Sequence, residues 1–170
     1  MAITRTEHLS SFMRSFADIV KLPLPQRAFT DVEALLRNLT LFLGPELDKR
    51  TIIVQWDLQA RIEPVLMDPH QMEQVFLNIL KNAMEAIAVN GKITIRLGTV
   101  SRREFVTIED TGSGITEETR RNLFTPFFST KEHGQGIGLT LVQEILVRHK
   151  YEFSLESMPN QPTRFTIFFS

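Results

Sequence analysis

A chain of 170 residues with 42% hydrophobic and 23% charged side chains has the size and composition of one globular domain with a sizeable core, which excludes a disordered or collagenous chain. A formal net charge of -1 leaves no Lys/Arg excess to neutralise a phosphate backbone, so nucleic acid is not an expected partner. Cysteine is absent, the four histidines show no zinc spacing, and the start MAITRTEHLSSF carries no apolar leader; disulfides, thiolate metal sites and thiol catalysis drop out, and a cytoplasmic location is expected.

In chain order, Leu9, Phe12, Met13, Phe16, Ile19 and Val20 recur at three- and four-residue spacing, drawing an apolar stripe along a helix that Pro23 and Pro25 stop. Such a stripe packs in the core, against a second chain, or against a partner helix. Thr30-Asp31-Val32-Glu33 reads as a capping box opening a helix with Leu35, Leu36, Leu39, Phe42 and Leu43 inward, closed by Gly44-Pro45. A strand is expected from Thr51 to Leu58. Asp68 before Pro69 is a second helix start, and that helix should run to about Val89 before the Asn90-Gly91 turn. Ile93, Ile95 and Leu97 alternate along one strand, Val106 and Ile108 along the next. Thr116 begins a short helix, a longer one spans Ile137 to Lys150, and the final strands alternate through Phe153 and Leu155, then Phe165, Ile167 and Phe169. Helices and strands interleave without a strict βαβ rhythm, which predicts an α+β fold: a two-layer sandwich of helices on a mixed sheet.

Three places carry chemistry. On the helix opened by Asp68, the residues Gln71, Gln74, Asn78, Asn82 and Glu85 fall within about 40° of one line at 100° per residue. A solvated face would serve, but such faces favour Glu and Lys, whereas Asn forms helices poorly and offers amide oxygens suited to a hard cation such as Mg²⁺. Asp110 is in phase with Val106 and Ile108 and so points inward. A buried carboxylate needs a donor, from the protein, water or a ligand, unless it merely caps its own Asp-Thr-Gly turn. Third, five of the eight glycines lie between Gly112 and Gly138. Gly134, Gly136 and Gly138 stand directly before an apolar-periodic helix, where amides can approach an anion, although a structural turn would use the same residues. Between the glycine clusters runs an aromatic-rich stretch, Phe124 to Phe128, followed by Lys131, a residue able to reach a phosphate.

Taken in order, these pieces resemble the ATP-binding catalytic domain of bacterial sensor histidine kinases, in the superfamily shared with gyrase, the mismatch-repair ATPase and the large heat-shock chaperone. Asn78-Ile79-Leu80-Lys81-Asn82-Ala83 is similar to the N box, Asp110 to Ile115 to the first glycine box, Phe124 to Lys131 to the F box, and Gly134 to Leu139 to the second glycine box. The resemblance is closest to the nitrogen-regulatory and sporulation types. It implies the Bergerat fold, with a mostly antiparallel sheet and helices on one face, and a division into residues 1–22 (the end of the second dimerisation helix), a hinge at 23–26, and a catalytic domain at 27–170.

The resemblance also implies residue roles. Asp110 would accept from the adenine amino group while Gly112 and Gly114 close on the base; Asn82, with Asn78 beside it, would hold Mg²⁺. The amides around Gly134, Gly136, Gly138 and Leu139 would hold the phosphates, with Lys131 near the γ-phosphate and Thr163 near the adenine. Hydrolytic relatives carry a glutamate general base where this chain has Asn78. Phosphoryl transfer to a histidine on a separate dimerisation domain, for relay to a response-regulator receiver domain, is therefore implied over hydrolysis. His8 is followed by Leu9-Ser10-Ser11 rather than by the acidic residue and later proline that follow a phosphoacceptor histidine in such kinases. The resemblance implies a full-length protein that is a homodimer and that, in this family, can be anchored at a membrane. A degenerate nucleotide-binding scaffold, or a serine kinase of the anti-sigma type on the same fold, stays open.

Overall fold

The computed structural model describes residues 21–122 and 138–169, together with Thr6, Glu7, Leu9, Ser10, Met13 and Ala17. Those six positions are helical, with Leu9 and Met13 exposed; the rest of the predicted stripe and His8 lie outside the described residues.

The elements run β1 (Ala28–Thr30), α1 (Val32–Phe42), α2 (Gly44–Lys49), β2 (Ile52–Leu58), β3 (Val65–Met67), α3 (Pro69–Ile87), β4 (Gly91–Val100), β5 (Arg103–Asp110), α4 (Glu117–Asn122), α5 (Gly138–His149), β6 (Glu152–Glu156) and β7 (Thr163–Phe168). Five strands form one mixed sheet in the order β2-β4-β5-β7-β6, parallel only between β2 and β4, because α3 carries the chain back across the sheet between them. β1 and β3 form a separate antiparallel pair.

Period-two alternation decides which face is covered. Ile93, Ile95, Leu97, Val106, Ile108, Phe165 and Ile167 are buried beneath the helices, against Leu36 of α1, Met72, Val75, Phe76, Ile79 and Leu80 of α3, and Val142, Ile145 and Leu146 of α5. The opposite face is largely polar, apart from Ile53 and the Phe105–Phe168 ring pair. Thr107 and Thr166 share a 3.0 Å hydrogen bond, and Arg96–Asp57 and Arg164–Glu109 form ion pairs at 2.7 and 2.6 Å. This is the two-layer α+β sandwich that the resemblance implied.

Three local expectations fail. Asp31, not Thr30, caps α1, accepting from the Ala34 amide, because Thr30 pairs with Val65 as the last residue of β1. Gly44-Pro45 opens α2 rather than closing a helix: proline at N1/N2 costs no hydrogen bond there. Phe42 is 72% exposed where it was expected to face the core, while Leu43 takes the inward place.

The segment before β1 is tied to the helices. Arg148 donates to the Leu22 carbonyl oxygen at 2.6 Å, Gln71 Nε2 to that of Pro23 at 2.9 Å, and the Gln26 amide to Asp68 Oδ2 at 2.8 Å. Asp68 uses its other carboxylate oxygen to cap α3 through the His70 and Gln71 amides.

Candidate functional site

α3 supplies one wall of a cleft. Its apolar arc is spent on the core, which leaves Ile79, Asn82, Ala83 and Ala86 facing an opening between α3, the ends of β5 and β7, and the start of α5. The small side chains of Ala83 and Ala86 leave room that larger residues would fill. Across from them stand Ile108, Asp110, Ile115, Leu139, Leu155, Thr163 and Phe165, so that the cleft opens to solvent between one helix wall and the strand ends. Among the described residues the lining is apolar apart from Asn82, Asp110 and Thr163, so the polar groups sit at a few fixed places.

Asp110 is the decisive one. It is 5% exposed, at the inward phase read from the strand. Burial pushes its carboxyl up to about 6 from the usual 3.8, against the Gly112 amide that donates to Oδ1 at 2.8 Å and with a smaller push in the same direction from Glu109. The cross-strand partner of Asp110 is Thr163, the first residue of β7, so two residues 53 positions apart in sequence become neighbours on the cleft floor.

The loop after Asp110 has no spare space. A Cβ at position 112 would lie 2.7 Å from Asp110 Oδ1 and 2.8 Å from the Ala86 carbonyl carbon. Gly114 has φ +78°, and a Cβ there would collide with the Met158 carbonyl oxygen. Glycine is required at both. The loop is tied to the β6–β7 turn: the Asn160 amide donates to the Ser113 carbonyl oxygen at 2.7 Å and the Ile115 amide to Ser157 Oγ at 2.9 Å. Ser157 Oγ also lies 2.7 Å from Thr163 Oγ1.

Of the predicted polar line on α3, Asn82 lines the cleft, whereas Asn78 lies one turn earlier, outside the cleft lining, and donates Nδ2 to the Gln74 carbonyl oxygen at 2.9 Å. That bond turns the amide so that Oδ1 remains an acceptor. Gln71 does not belong to this line. It is 5% exposed and serves the chain segment at Pro23, and its Oε1 has no hydrogen-bond partner among the described residues. Amide oxygens at Asn78 and Asn82 fit a hard cation that takes its remaining ligands from a bound phosphate and water. No cluster of three His, Asp or Glu able to hold a metal by itself occurs among the described residues. Gly138 opens α5 and Leu139 enters the cleft. Lys131, Gly134, Gly136 and the Phe124 to Phe128 stretch lie outside the described residues.

Two side chains escape sequence reasoning. Ser157 looks like any strand-end serine until the fold sets it between Ile115 and Thr163. His149, near the end of the helix expected from Ile137 to Lys150, is 1% exposed. Its Nδ1 donates to the Ile145 carbonyl oxygen at 2.8 Å and its Nε2 accepts from the Asp68 amide at 3.0 Å, so it is held neutral and burial pushes it below the usual histidine range.

Residues 67–170 match the model of the histidine kinase-, DNA gyrase B-, and HSP90-like ATPase family. The chain belongs to this ATPase family. Sporulation kinase E of Bacillus subtilis (strain 168) is 33% identical over 80% of the chain, and the signal transduction histidine-protein kinase AtoS of Escherichia coli (strain K12) 38% over 65%. The chain spans only 19% and 18% of the length of these two relatives. Among solved structures, the Acinetobacter baumannii histidine kinase AdeS is 26% identical with a TM-score of 0.77, covering 99% of this chain and 79% of its own. Among the described residues of the ATPase chain, no helix is long and apolar enough to cross a membrane.

Proposed function

We infer that the chain is the ATP-binding catalytic part of a two-component sensor histidine kinase, passing the ATP γ-phosphoryl group to a histidine on a separate dimerisation domain for relay to a response-regulator receiver domain. The observation that carries this is the buried Asp110 carboxylate on the floor of an apolar cleft, beside Thr163 and facing Asn82. An ionised carboxylate aimed into an apolar slot is an acceptor waiting for a donor, and the exocyclic amino group of adenine is such a donor. Ile79, Ile108, Leu155 and Phe165 give the flat base an apolar enclosure.

With the base seated at Asp110, Asn82 and Asn78 lie along α3 on the side where the phosphates would emerge, and their amide oxygens are the proposed Mg²⁺ ligands. When bound, Mg²⁺ supplies positive charge to the phosphate oxygens of the leaving and transferring groups. The amides around Gly134, Gly136 and Gly138 and the Lys131 ammonium are proposed to meet the phosphate chain. Among the described residues lining the cleft the only carboxylate is Asp110, at the base end; the Asn78 amide cannot take a proton from water. ATP should therefore persist until a histidine nucleophile arrives.

In this reading residues 1–22 end a dimerisation helix, 23–26 form a hinge, 27–170 form the catalytic domain, and the full-length protein is a homodimer acting in the cytoplasm. The test is incubation of the chain with labelled Mg²⁺-ATP, alone and with a histidine-bearing dimerisation domain from a related kinase. Acid-labile phosphohistidine on that domain, with negligible ADP release in its absence, is expected. Rapid ADP release without an acceptor would contradict the reading in favour of a hydrolase.

A further inference from the structure

We propose that Ser157 is a positioning residue that sets the hydrogen-bond direction of Thr163, so that the cleft presents a donor beside the Asp110 acceptor and selects a 6-aminopurine over a 6-oxopurine. The proposal rests on the nucleotide reading of the cleft and adds to it the residue that fixes base specificity.

Ser157 is 7% exposed and has two hydrogen-bond partners among the described residues, the Ile115 amide at 2.9 Å and Thr163 Oγ1 at 2.7 Å. An amide can only donate, so Ser157 Oγ accepts from Ile115. Among the described residues the serine proton then has one acceptor in reach, Thr163 Oγ1. Were Thr163 to donate to Ser157 instead, the serine proton would be buried without an acceptor, an arrangement that folded proteins avoid. The chain therefore runs in one direction, from the Ile115 amide to Ser157 and from the Ser157 hydroxyl to Thr163. With one lone pair of Thr163 taken up by Ser157, its own proton is left to point into the cleft that Thr163 lines.

Asp110 and Thr163 are cross-strand partners, so their polar atoms face the ligand side by side. The carboxylate accepts and the hydroxyl donates, directly or through a water. The 6-amino group and N1 of adenine present the complementary pair, a donor and an acceptor. A 6-oxopurine presents O6 as an acceptor and N1–H as a donor, which sets oxygen against carboxylate and proton against proton. Specificity built on unpaired buried polar groups discriminates strongly. Without Ser157, the Thr163 hydroxyl is free to turn and accept, and half of that discrimination is lost.

The experiment is titration calorimetry of the chain and of Ser157→Ala, Thr163→Val and the double variant with ATP and with inosine triphosphate, which differs from ATP only in the 6-amino to 6-oxo exchange. Thermal melts verify folding, and Ser157→Thr retains the hydroxyl if Ser157→Ala proves unstable. The expected result is a preference for ATP in the unsubstituted chain that falls about fivefold to tenfold in Ser157→Ala, is restored in Ser157→Thr, and falls no further when Ser157→Ala is added to Thr163→Val, the signature of two residues acting as one. Equal weakening of both nucleotides by Ser157→Ala, or additive losses in the double variant, would overturn the proposal and leave the nucleotide reading intact. Failure of the unsubstituted chain to bind ATP would overturn both.

Discussion

Asp110 is a group that the fold holds at a cost. Its carboxyl titrates at about 6 rather than 3.8 because burial disfavours the charge, so the folded state binds the proton more tightly than the unfolded chain does. The stability associated with protonation is present in full below 3.8 and is lost as pH rises through about 6. Asp110→Asn keeps an oxygen for the Gly112 amide and removes the buried charge, so the ligand-free variant should be more stable than the parent at pH 7.5 by about 1–3 kcal/mol, read from denaturant midpoints. An unchanged or lowered midpoint would show that the protein already compensates the charge. ATP affinity should weaken as pH falls through about 6, since a protonated carboxyl no longer accepts from the base at both oxygens. Asp110 was legible in the sequence because period-two alternation alone fixes which way a strand residue points. Ser157 was not, because its partners Ile115 and Thr163 are brought to it by a loop and a turn with no periodic signature.

At the scale of elements, α3 was the most legible part of the chain. Its Asp68 cap, proline start and apolar arc agree from sequence to packing. The short elements were not: β1 and β3 are three residues each and exist only because Ala28–Thr30 and Val65–Met67 meet across an intervening helix pair and strand, a long-range pairing that no local window contains. That pairing also moved the α1 cap from Thr30 to Asp31. Gly114→Ala should destabilise by about 1–3 kcal/mol, from a positive φ and a blocked Cβ together, and a midpoint within 0.5 kcal/mol of the parent would show that the Met158 turn yields freely (about the scatter of surface substitutions). His149 links the ends of α5 and α3. Its lowered pKa means that its contribution is present above 6.5 and is lost as pH falls through its folded value. His149→Gln should therefore cost stability at pH 7.5, by about 1–2 kcal/mol, and the gap to the parent should close as the pH is lowered toward 5.

Across the whole molecule, the fold gathers the cleft-lining residues from distant parts of the chain. β5 brings Asp110, β7 Thr163, α3 Asn82 and α5 Leu139 to one cleft, while the other ends of α3 and α5 hold the segment at 22–27 through Asp68, Gln71 and Arg148. α3 and α5 thus each reach from the cleft to the proposed hinge, a connection that no motif reveals, because it is made by backbone carbonyls at Leu22 and Pro23 rather than by side chains of a recognisable type. The first glycine box was legible as a glycine-rich turn, yet only the packing of Gly112 on Ala86 and of Gly114 on Met158 shows what the missing side chains make room for. The central claim is that this cleft takes Mg²⁺-ATP through Asp110 and Asn82. Titration calorimetry of the purified chain with ATP, with and without Mg²⁺, tests it most directly when run beside Asp110→Asn and Asn82→Ala. The account predicts binding that Mg²⁺ strengthens, that Asp110→Asn abolishes, and whose Mg²⁺ dependence disappears in Asn82→Ala while metal-free affinity is unchanged. No heat of binding at millimolar ATP from well-folded protein would contradict it.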